Sequence, residues 1–535
     1  PPAALLVHVG VPGGWVHGGW KELVVWGLVT NVAASVSLLF VLWGLSTFLA
    51  DGSRFAGLVA AVTAAFAVGS NPRSLIALGV VGVGCWIAAV EAAPFTWRAV
   101  SVRLAVVGGI AAALSAPVLI PLLLFSDLYT FIRYSGYSSL GFYAHKIVTS
   151  VSWPVAILGG AGLLIGLFVA DRPTTRAAAV SLALYILVTA VLATDLRDAG
   201  ALDQLEATRL MPFQRLVTIY LAAVAAEVGL RWLLPRWPAV QQGVVAGGAA
   251  CIFLVYILPL SPVPENDHGL MDVGEAARPG SPILLTSGAA VQADFLAAVD
   301  AADGAVPGDG AMLIIGTTIS WHQQLWAPLK TDRPLFFNDW LWYWQTEHAA
   351  PGGLRAGNAY ARGFDRRIFE LDYLGEHGIA IVVVADPYKQ AAAAAPTLEL
   401  VRRGLFDVYR VRDPAAIVTF TGGETTAVTV ENERIEASGT SAGGEAKIAR
   451  NWFPRWRAEV NSEEVPVTHA ADGYMSVPVP AGNVTIELRY VVDRFDWLGR
   501  ALFVVGVIAG LMLAIGRPRR FSTLPIPRRT NQPPI

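Results

Sequence analysis

The chain has 535 residues, with 39 basic and 41 acidic side chains, so charged residues make up 15% and hydrophobic residues 54% of it. An ordinary soluble domain carries about 25% charged residues. Together with a net charge of −2, this composition excludes a soluble enzyme, a disordered chain and a basic nucleic-acid-binding protein. Residues 1–260 hold only 24 of the charges, which predicts a membrane-embedded domain followed by a water-exposed part.

Nine apolar runs predict membrane-spanning helices. They are Leu23–Leu49, Phe55–Val68, Ser74–Val90, Leu104–Phe125, Val151–Val169, Ala177–Ala193, Leu216–Leu234, Val244–Leu260 and Trp497–Ile515. The second run is short enough to be re-entrant or tilted. The chain begins at Pro1 without a signal peptide, so we expect a natural N-terminus upstream, with a further helix.

Several residues inside these runs predict packing and not chemistry. Cys85 and Cys251 lie in apolar surroundings and are expected to be buried, without a disulfide or a metal. The glycine-rich segment 159–162 is expected to pack against another helix. Glu227 would be costly in lipid, and Arg231, four residues later, is its expected partner.

The arginines predict the orientation. Arg517, Arg519 and Arg520 follow the last run, so the tail 517–535 is expected to be cytoplasmic and residues 261–496 to lie outside. Counting backwards from this tail places seven arginines of the first half in the inner loops. They are Arg54, Arg98, Arg103, Arg172, Arg176, Arg231 and Arg236. The outer connections 1–22, 126–150 and 194–215 would then form one surface, where an active site is expected.

The outer block reads as two domains, followed by a closing transmembrane helix over 491–516. Residues 261–421 alternate strand and helix patterns and predict an α/β domain. Its expected strands are Met312–Ile315, Ala380–Val384 and Val408–Val411, and its helices are Ala290–Ala301, Arg367–His377 and Thr397–Gly404. Residues 422–490 predict a small β-sandwich-like module. Its strands are Thr426–Val430, Arg457–Val460, Met475–Val479 and Thr485–Tyr490. Asn483–Thr485 has the pattern of a glycosylation sequon but is expected to be a β turn.

Aromatic residues cluster in the α/β part. Asp339, Trp340, Trp342 and Trp344 lie together, and rings beside polar groups suit sugar binding, because a ring stacks on the C–H face while polar groups bond the hydroxyls. The same cluster could instead pack in the protein or dock at the membrane interface.

Four stretches near the C-terminus resemble a β module of bacterial polytopic membrane proteins. They are Asn451–Asn461, Val465–Val467, Gly473–Gly482 and Ile486–Tyr490, followed by one closing helix. Leu114–Pro121 resembles the proline-containing membrane helix of these proteins, and Tyr373–Val384 resembles one of their strands. The chain is thus similar to GT-C-type glycosyltransferases, including the membrane proteins related to 6-pyruvoyl-tetrahydropterin synthase. It departs from the pattern at Arg455, where Gly is usual, and at Asn461-Ser462, where Asp-Gly is usual.

The resemblance implies a GT-C-like α-helical polytopic membrane domain that carries extracytoplasmic domains. Such enzymes are inverting glycosyltransferases of the bacterial inner membrane that move a sugar from a polyprenyl-phosphate carrier to a glycan or lipid acceptor in envelope assembly. The implied partners are this donor, the acceptor, the bilayer and other membrane proteins, and no nucleic acid. No cofactor is required, although a divalent metal stays open.

The resemblance also assigns roles to charged residues of the outer connections. Arg133, Lys146, Arg209 and Arg215 are the expected ligands of the carrier phosphate, and Asp127 is the candidate general base within the chain. A base upstream of Pro1 would fit the resemblance better. The alternatives are an aromatic belt with snorkelling cations for 126–150 and a solvated loop with internal ion pairs for 194–215. A non-catalytic subunit of a membrane complex is the rival function. A transporter is weaker, because transporters usually show paired repeats or buried charges across many spans and Glu227 is the only clear mid-span charge here.

Overall fold

The structure of the protein is a computed structural model. The described residues are 29–93, 96–125, 151, 153–192, 210–233, 288–306, 310–315, 327, 330–337, 366–386, 388–431, 433–471 and 473–515, with 240, 243, 244 and 247. They form two compact units, one built from the helices before residue 263 and the last helix, the other from residues 264–493 and 125–132.

The first unit is a helical bundle. Its helices are α1 Val29–Asp51, α2 Arg54–Ser70, α3 Ser74–Ala92, α4 Trp97–Leu124, α5 Trp153–Phe168, α6 Pro173–Leu192, α7 Met211–Leu233 and α11 Arg494–Ile515. Six of these described helices are long and apolar enough to cross a membrane, and α2 and α5 are shorter apolar helices. Many large apolar side chains on them are exposed, including Phe168 and Met512, which fits a lipid environment. The chain is therefore a multi-pass membrane protein, and the predicted span Val244–Leu260 lies outside the described residues except at 244 and 247.

Basic residues gather at one end of this bundle, here called the arginine end. The Arg103 guanidinium donates to the carbonyl of Leu49, 2.8 Å away, at the C-terminus of α1. Arg176 donates to the Glu91 carboxylate at 2.9 Å. Ser46 and Thr174 bond at 2.7 Å, which joins the end of α1 to the start of α6. The inner-loop arginines of these connections therefore share one end, as the sequence predicts, and the side of the membrane that this end faces stays a prediction.

Glu227 lies at the same end. Its carboxylate is 2.5 Å from Arg231 and 3.6 Å from Arg172, so the predicted pair with Arg231 is confirmed. Cys85 is a free, buried thiol, also as predicted, whereas Cys251 lies outside the described residues.

Glycines set the closest approaches between helices of the bundle. Gly159 of α5 lies against Thr218 of α7, and Gly162 lies against the backbone of Leu221, whereas Gly160 faces open space. The prediction that this segment packs against a helix is therefore confirmed. On α11, Gly499 and Gly506 face α4 at Pro117 and Leu114. Because the numbers rise on one helix as they fall on the other, α11 runs antiparallel to α4.

The second unit begins with α8 Gly288–Ala305 and a five-stranded sheet. The strands are β1 Ala311–Ile315, β2 Leu335–Phe337, β3 Ile379–Val384, β4 Leu398–Arg402 and β5 Asp407–Val411, in the order β2-β1-β3-β5-β4. The first three are parallel to one another, and β5 is antiparallel to both β3 and β4. The short helices α9 Leu371–Glu376 and α10 Lys389–Ala394 flank β3, and a 3₁₀ helix, Arg366–Phe369, precedes α9.

One predicted element of this sheet is wrong. The expected helix Thr397–Gly404 is strand β4, which forms the edge of the sheet and pairs with β5. Its burial pattern explains the error, because only Leu398 is buried while Leu400 and Val401 are exposed. An edge strand does not need the alternation of a half-buried strand, and its pairing with β5 decides its conformation.

Hydrogen bonds to the Asp294 side chain link α8 to the turn between β4 and β5. Its carboxylate accepts hydrogen bonds from the Arg402 guanidinium and from the Phe406 N–H at 3.1 Å. Burial acts to raise the pKa of Asp294, but the hydrogen bonds and charge of Arg402 and the Phe406 N–H outweigh it and hold this pKa below its ordinary value. The folded state therefore favours the ionised carboxylate.

We expect Asp294→Asn to lower the free energy of unfolding by about 2 kcal/mol at pH 7, because a charge-assisted hydrogen bond is lost. The folded pKa is depressed, so this contribution is complete above the ordinary value of 3.8 and disappears as the pH falls through the lower folded value. Tryptophan-monitored thermal unfolding between pH 7 and pH 3 would measure the difference. Asp300→Asn is the control on the same helix, since its contact with Lys330 is long and exposed; an equal loss there would contradict the prediction.

The rest of the unit is a seven-stranded antiparallel sheet. Its strands are β6 Val418–Phe420, β7 Glu424–Val430, β8 Arg434–Asn451, β9 Trp456–Val460, β10 Glu463–Val465, β11 Thr468–His469 and β12 Tyr474–Tyr490. The two long strands β8 and β12 pair along most of their length. Gly443, Gly444 and Gly482 have positive φ angles at the same level of the pair, where glycine is the least strained residue. Asn483 therefore lies inside a continuous strand, and the predicted turn there is wrong.

The two departures from the β-module pattern that the sequence resembles are both found in local turns and contacts. Asn461 and Ser462 both have positive φ, 50° and 68°, which is the conformation that a two-residue hairpin turn needs. The Asn461 side-chain oxygen accepts from the Thr485 N–H at 2.9 Å. Arg455 lies 3.7 Å from the Asp493 carboxylate. The sheet-rich C-terminal region is thus confirmed.

Candidate functional site

The first half of α7 carries the candidate site. Every residue from Met211 to Ile219 is buried, because this stretch packs against α5, α6 and α1. Pro212 is compatible with this position, since the N–H that proline lacks would have no partner in the first turn of a helix. The helix therefore begins five residues before the predicted start at Leu216, and Arg215 lies one turn inside it and not at its mouth.

Arg215 is the most unusual charge of the bundle. Its side chain is only 2% exposed, and among the described lysines and arginines no other is fully buried. It lies at the end of α7 opposite to Glu227 and Arg231, so it does not belong to the arginine end. The predicted alternative of a solvated loop does not apply to it. A guanidinium stays charged in a protein interior and is costly to bury without compensating partners, so Arg215 places a permanent positive charge inside the bundle.

The helix end adds to this preference. The first N–H groups of α7 have no partner within the helix, and the helix dipole is positive there. A guanidinium one turn away adds a full charge and planar donors that match phosphate or carboxylate oxygens. The arrangement suits a phosphate held at a helix N-terminus.

Gln214 is the residue that sequence reasoning missed. It is 2% exposed, and within the described residues neither its side-chain oxygen nor its nitrogen has a hydrogen-bond partner. A glutamine beside an arginine carries no signal in a sequence, because its burial arises only when α7 packs among its neighbours. It brings a neutral donor and acceptor next to the charge.

The chain matches no family model and no curated protein. Two solved structures are similar to it, both cryo-EM structures of the arabinofuranosyltransferase AftD from mycobacteria, the second of a mutant form. Each is 13% identical over 86% of this chain, with TM-scores of 0.42 and 0.39. The alignments cover 47% and 49% of those chains, so this chain spans about half the length of the structures it matches.

The other predicted site residues lie outside the described residues. They are Asp127, Arg133, Lys146, Arg209, Asp339, Trp340, Trp342 and Trp344. Their roles stay predictions. No group of three metal-binding side chains occurs among the residues that the structure describes.

The described strand β2 ends just before the predicted sugar-binding residues in the chain. β1, β2 and β3 are parallel, so their carboxyl ends meet at one edge of the sheet. Strand β2 ends at Phe337, two residues before Asp339 and three before Trp340. β2 lies on one side of β1 and β3 on the other, which makes this edge a topological switch point, where open α/β sheets bind ligands.

Proposed function

We propose that the protein is an inverting membrane glycosyltransferase that uses a polyprenyl-phosphate-linked sugar in envelope polysaccharide or glycolipid assembly. The observation that carries the proposal is the buried guanidinium of Arg215 at the N-terminal end of α7, opposite to the arginine end. A phosphate attached to a lipid can reach a charge buried in a membrane bundle directly from the bilayer, and a polyprenyl phosphate combines the anion with such a lipid.

The roles of the residues follow from this chemistry. Arg215, with Arg209, Arg133 and Lys146, would bind the carrier phosphate and stabilise the charge that it gains when the bond from its oxygen to the sugar breaks. The acceptor hydroxyl forms the new bond to the same sugar carbon and passes its proton to a general base, for which Asp127 is the candidate within this chain. Trp340, Trp342, Trp344 and Asp339 would hold sugar at the carboxyl edge of the first sheet.

The test is a transfer assay with the full chain in lipid nanodiscs. A panel of polyprenyl-phosphate-linked hexoses and pentoses is offered with a crude envelope glycan fraction, and release of the free carrier phosphate is followed by mass spectrometry. We expect the wild type to consume at least one donor and Arg209→Ala/Arg215→Ala to consume none while keeping its thermal midpoint. Full activity of that double variant would overturn the assignment, and donor binding without turnover by the wild type would identify the non-catalytic subunit instead.

A further inference from the structure

The side chain of Gln214 is buried without a partner at the N-terminal end of α7. It is 2% exposed, and among the described residues it is the only one with two buried side-chain polar atoms that lack a hydrogen bond. One turn further on, the Thr218 hydroxyl donates to the backbone carbonyl of Gln214 at 2.9 Å. The Thr218 hydroxyl therefore has a hydrogen-bond partner within the helix, whereas the side-chain amide of Gln214 has none. Native proteins keep such groups rarely, and a ligand is one reason to do so.

The direction of the side chain follows from helix geometry. Side chains in an α-helix lean toward the helix N-terminus, and Gln214 lies in the first turn of α7, which begins at Met211. Its amide is therefore aimed toward the end of the helix where the first backbone N–H groups lie, which have no partner within the helix. Arg215 is the next residue, so a charge and a neutral amide serve the same end of the helix.

The amide differs chemically from the guanidinium. Arginine only donates hydrogen bonds, whereas glutamine offers an NH₂ donor and a carbonyl acceptor. Phosphate oxygens satisfy donors and leave the carbonyl without a partner. A phosphate ester that carries a sugar supplies both kinds of group, since its oxygens accept and its sugar hydroxyls donate.

We propose that Gln214 binds the sugar-bearing side of the glycosyl phosphate, and that it makes the site prefer the sugar-linked carrier to the bare carrier phosphate. The inference rests on the proposed function and adds a specificity residue to it. Arg215 holds the phosphate that both lipids share. The amide carbonyl of Gln214 accepts a hydrogen bond from a sugar hydroxyl that only the donor possesses. The site therefore binds the spent carrier more weakly than the donor.

The experiment uses Gln214→Met, which keeps the length of the side chain and removes both polar atoms, and Thr218→Val as the control on the same helix. The full chain in nanodiscs is titrated with polyprenyl phosphate and with the sugar-linked lipid that the wild type consumes. We expect Gln214→Met to weaken binding of the sugar-linked lipid roughly tenfold and that of the bare carrier little. Its thermal midpoint without lipid should be equal to or above that of the wild type, because an unsatisfied amide is removed. Thr218→Val should change neither affinity.

The outcomes separate this inference from the proposed function. If the wild type consumes no sugar-linked lipid and binds neither lipid, the proposed function itself fails. If it binds both and Gln214→Met changes neither affinity, or lowers both equally, the role of Gln214 is overturned while the phosphate site stands. A variant that unfolds at a lower temperature with unchanged lipid preference would identify Gln214 as a structural residue only.

Discussion

Replacing Arg215 with methionine is expected to weaken binding of a sugar-linked polyprenyl phosphate by roughly 10- to 100-fold, because the charge-assisted hydrogen bonds of one buried guanidinium are lost. Arg215→Lys keeps the charge but loses the planar arrangement of donors, so its affinity for the lipid should lie between those of the wild type and Arg215→Met. Titration of the purified full chain in nanodiscs measures the order wild type, lysine, methionine.

The matched control for this prediction lies on the same helix. Arg231 is exposed and paired with Glu227 at the arginine end, so Arg231→Ala should leave donor binding unchanged. If Arg231→Ala and Arg215→Met lower the affinity equally, the effect comes from the overall charge and not from a site. If Arg215→Met binds like the wild type, the phosphate site is not at α7.

Gly162→Ala is expected to cause the largest loss of stability in the bundle. A Cβ at Gly162 would lie 2.0 Å from the backbone carbonyl oxygen of Leu221, and a backbone atom cannot move aside as a side chain can. Helices α5 and α7 would have to separate, at a cost of roughly 1–3 kcal/mol or more. Because α7 also carries Arg215, the same variant should bind the donor more weakly. Thermal unfolding in detergent measures the first effect and lipid titration the second.

Gly160 provides the comparison, two residues away on the same helix. Nothing lies within 4 Å of a Cβ at this position, so Gly160→Ala should be neutral or gain up to about 1 kcal/mol from helix propensity. Equal midpoints for the Gly160 and Gly162 variants would contradict the close packing of α5 on α7.

The membrane helices were predictable because hydropathy over a long window decides whether a segment can lie in lipid. The residues at which these helices begin were harder to predict. Helix α7 begins at Met211 and not at Leu216, since a short stretch with a proline, a glutamine and an arginine reads as a loop until neighbouring helices bury it. The buried state of Arg215 has the same origin and could not be derived from its position in the chain.

The β module illustrates a different limit. The inward positions of β8 include Ala437, Gly439 and Ser441, which are too small to produce an apolar alternation in the sequence. The strand was therefore missed, although it is the longest of the sheet at 18 residues. The sequence predicts two strands in place of β12, because a glycine at position 482 is typical of a turn. In the structure Gly482 has a positive φ within one continuous strand.

The antiparallel packing of α11 on α4 has a topological consequence. Helix α4 starts at the arginine end with Arg103, so α11 starts at the opposite end and finishes at the arginine end. Helix α7 also finishes there, with Glu227 and Arg231. If both helices cross the bilayer, the chain between Leu233 and Arg494 has to change sides an odd number of times. The predicted span Val244–Leu260 would supply one such crossing, and the basic tail after Ile515 would then share a compartment with the arginines of the inner loops.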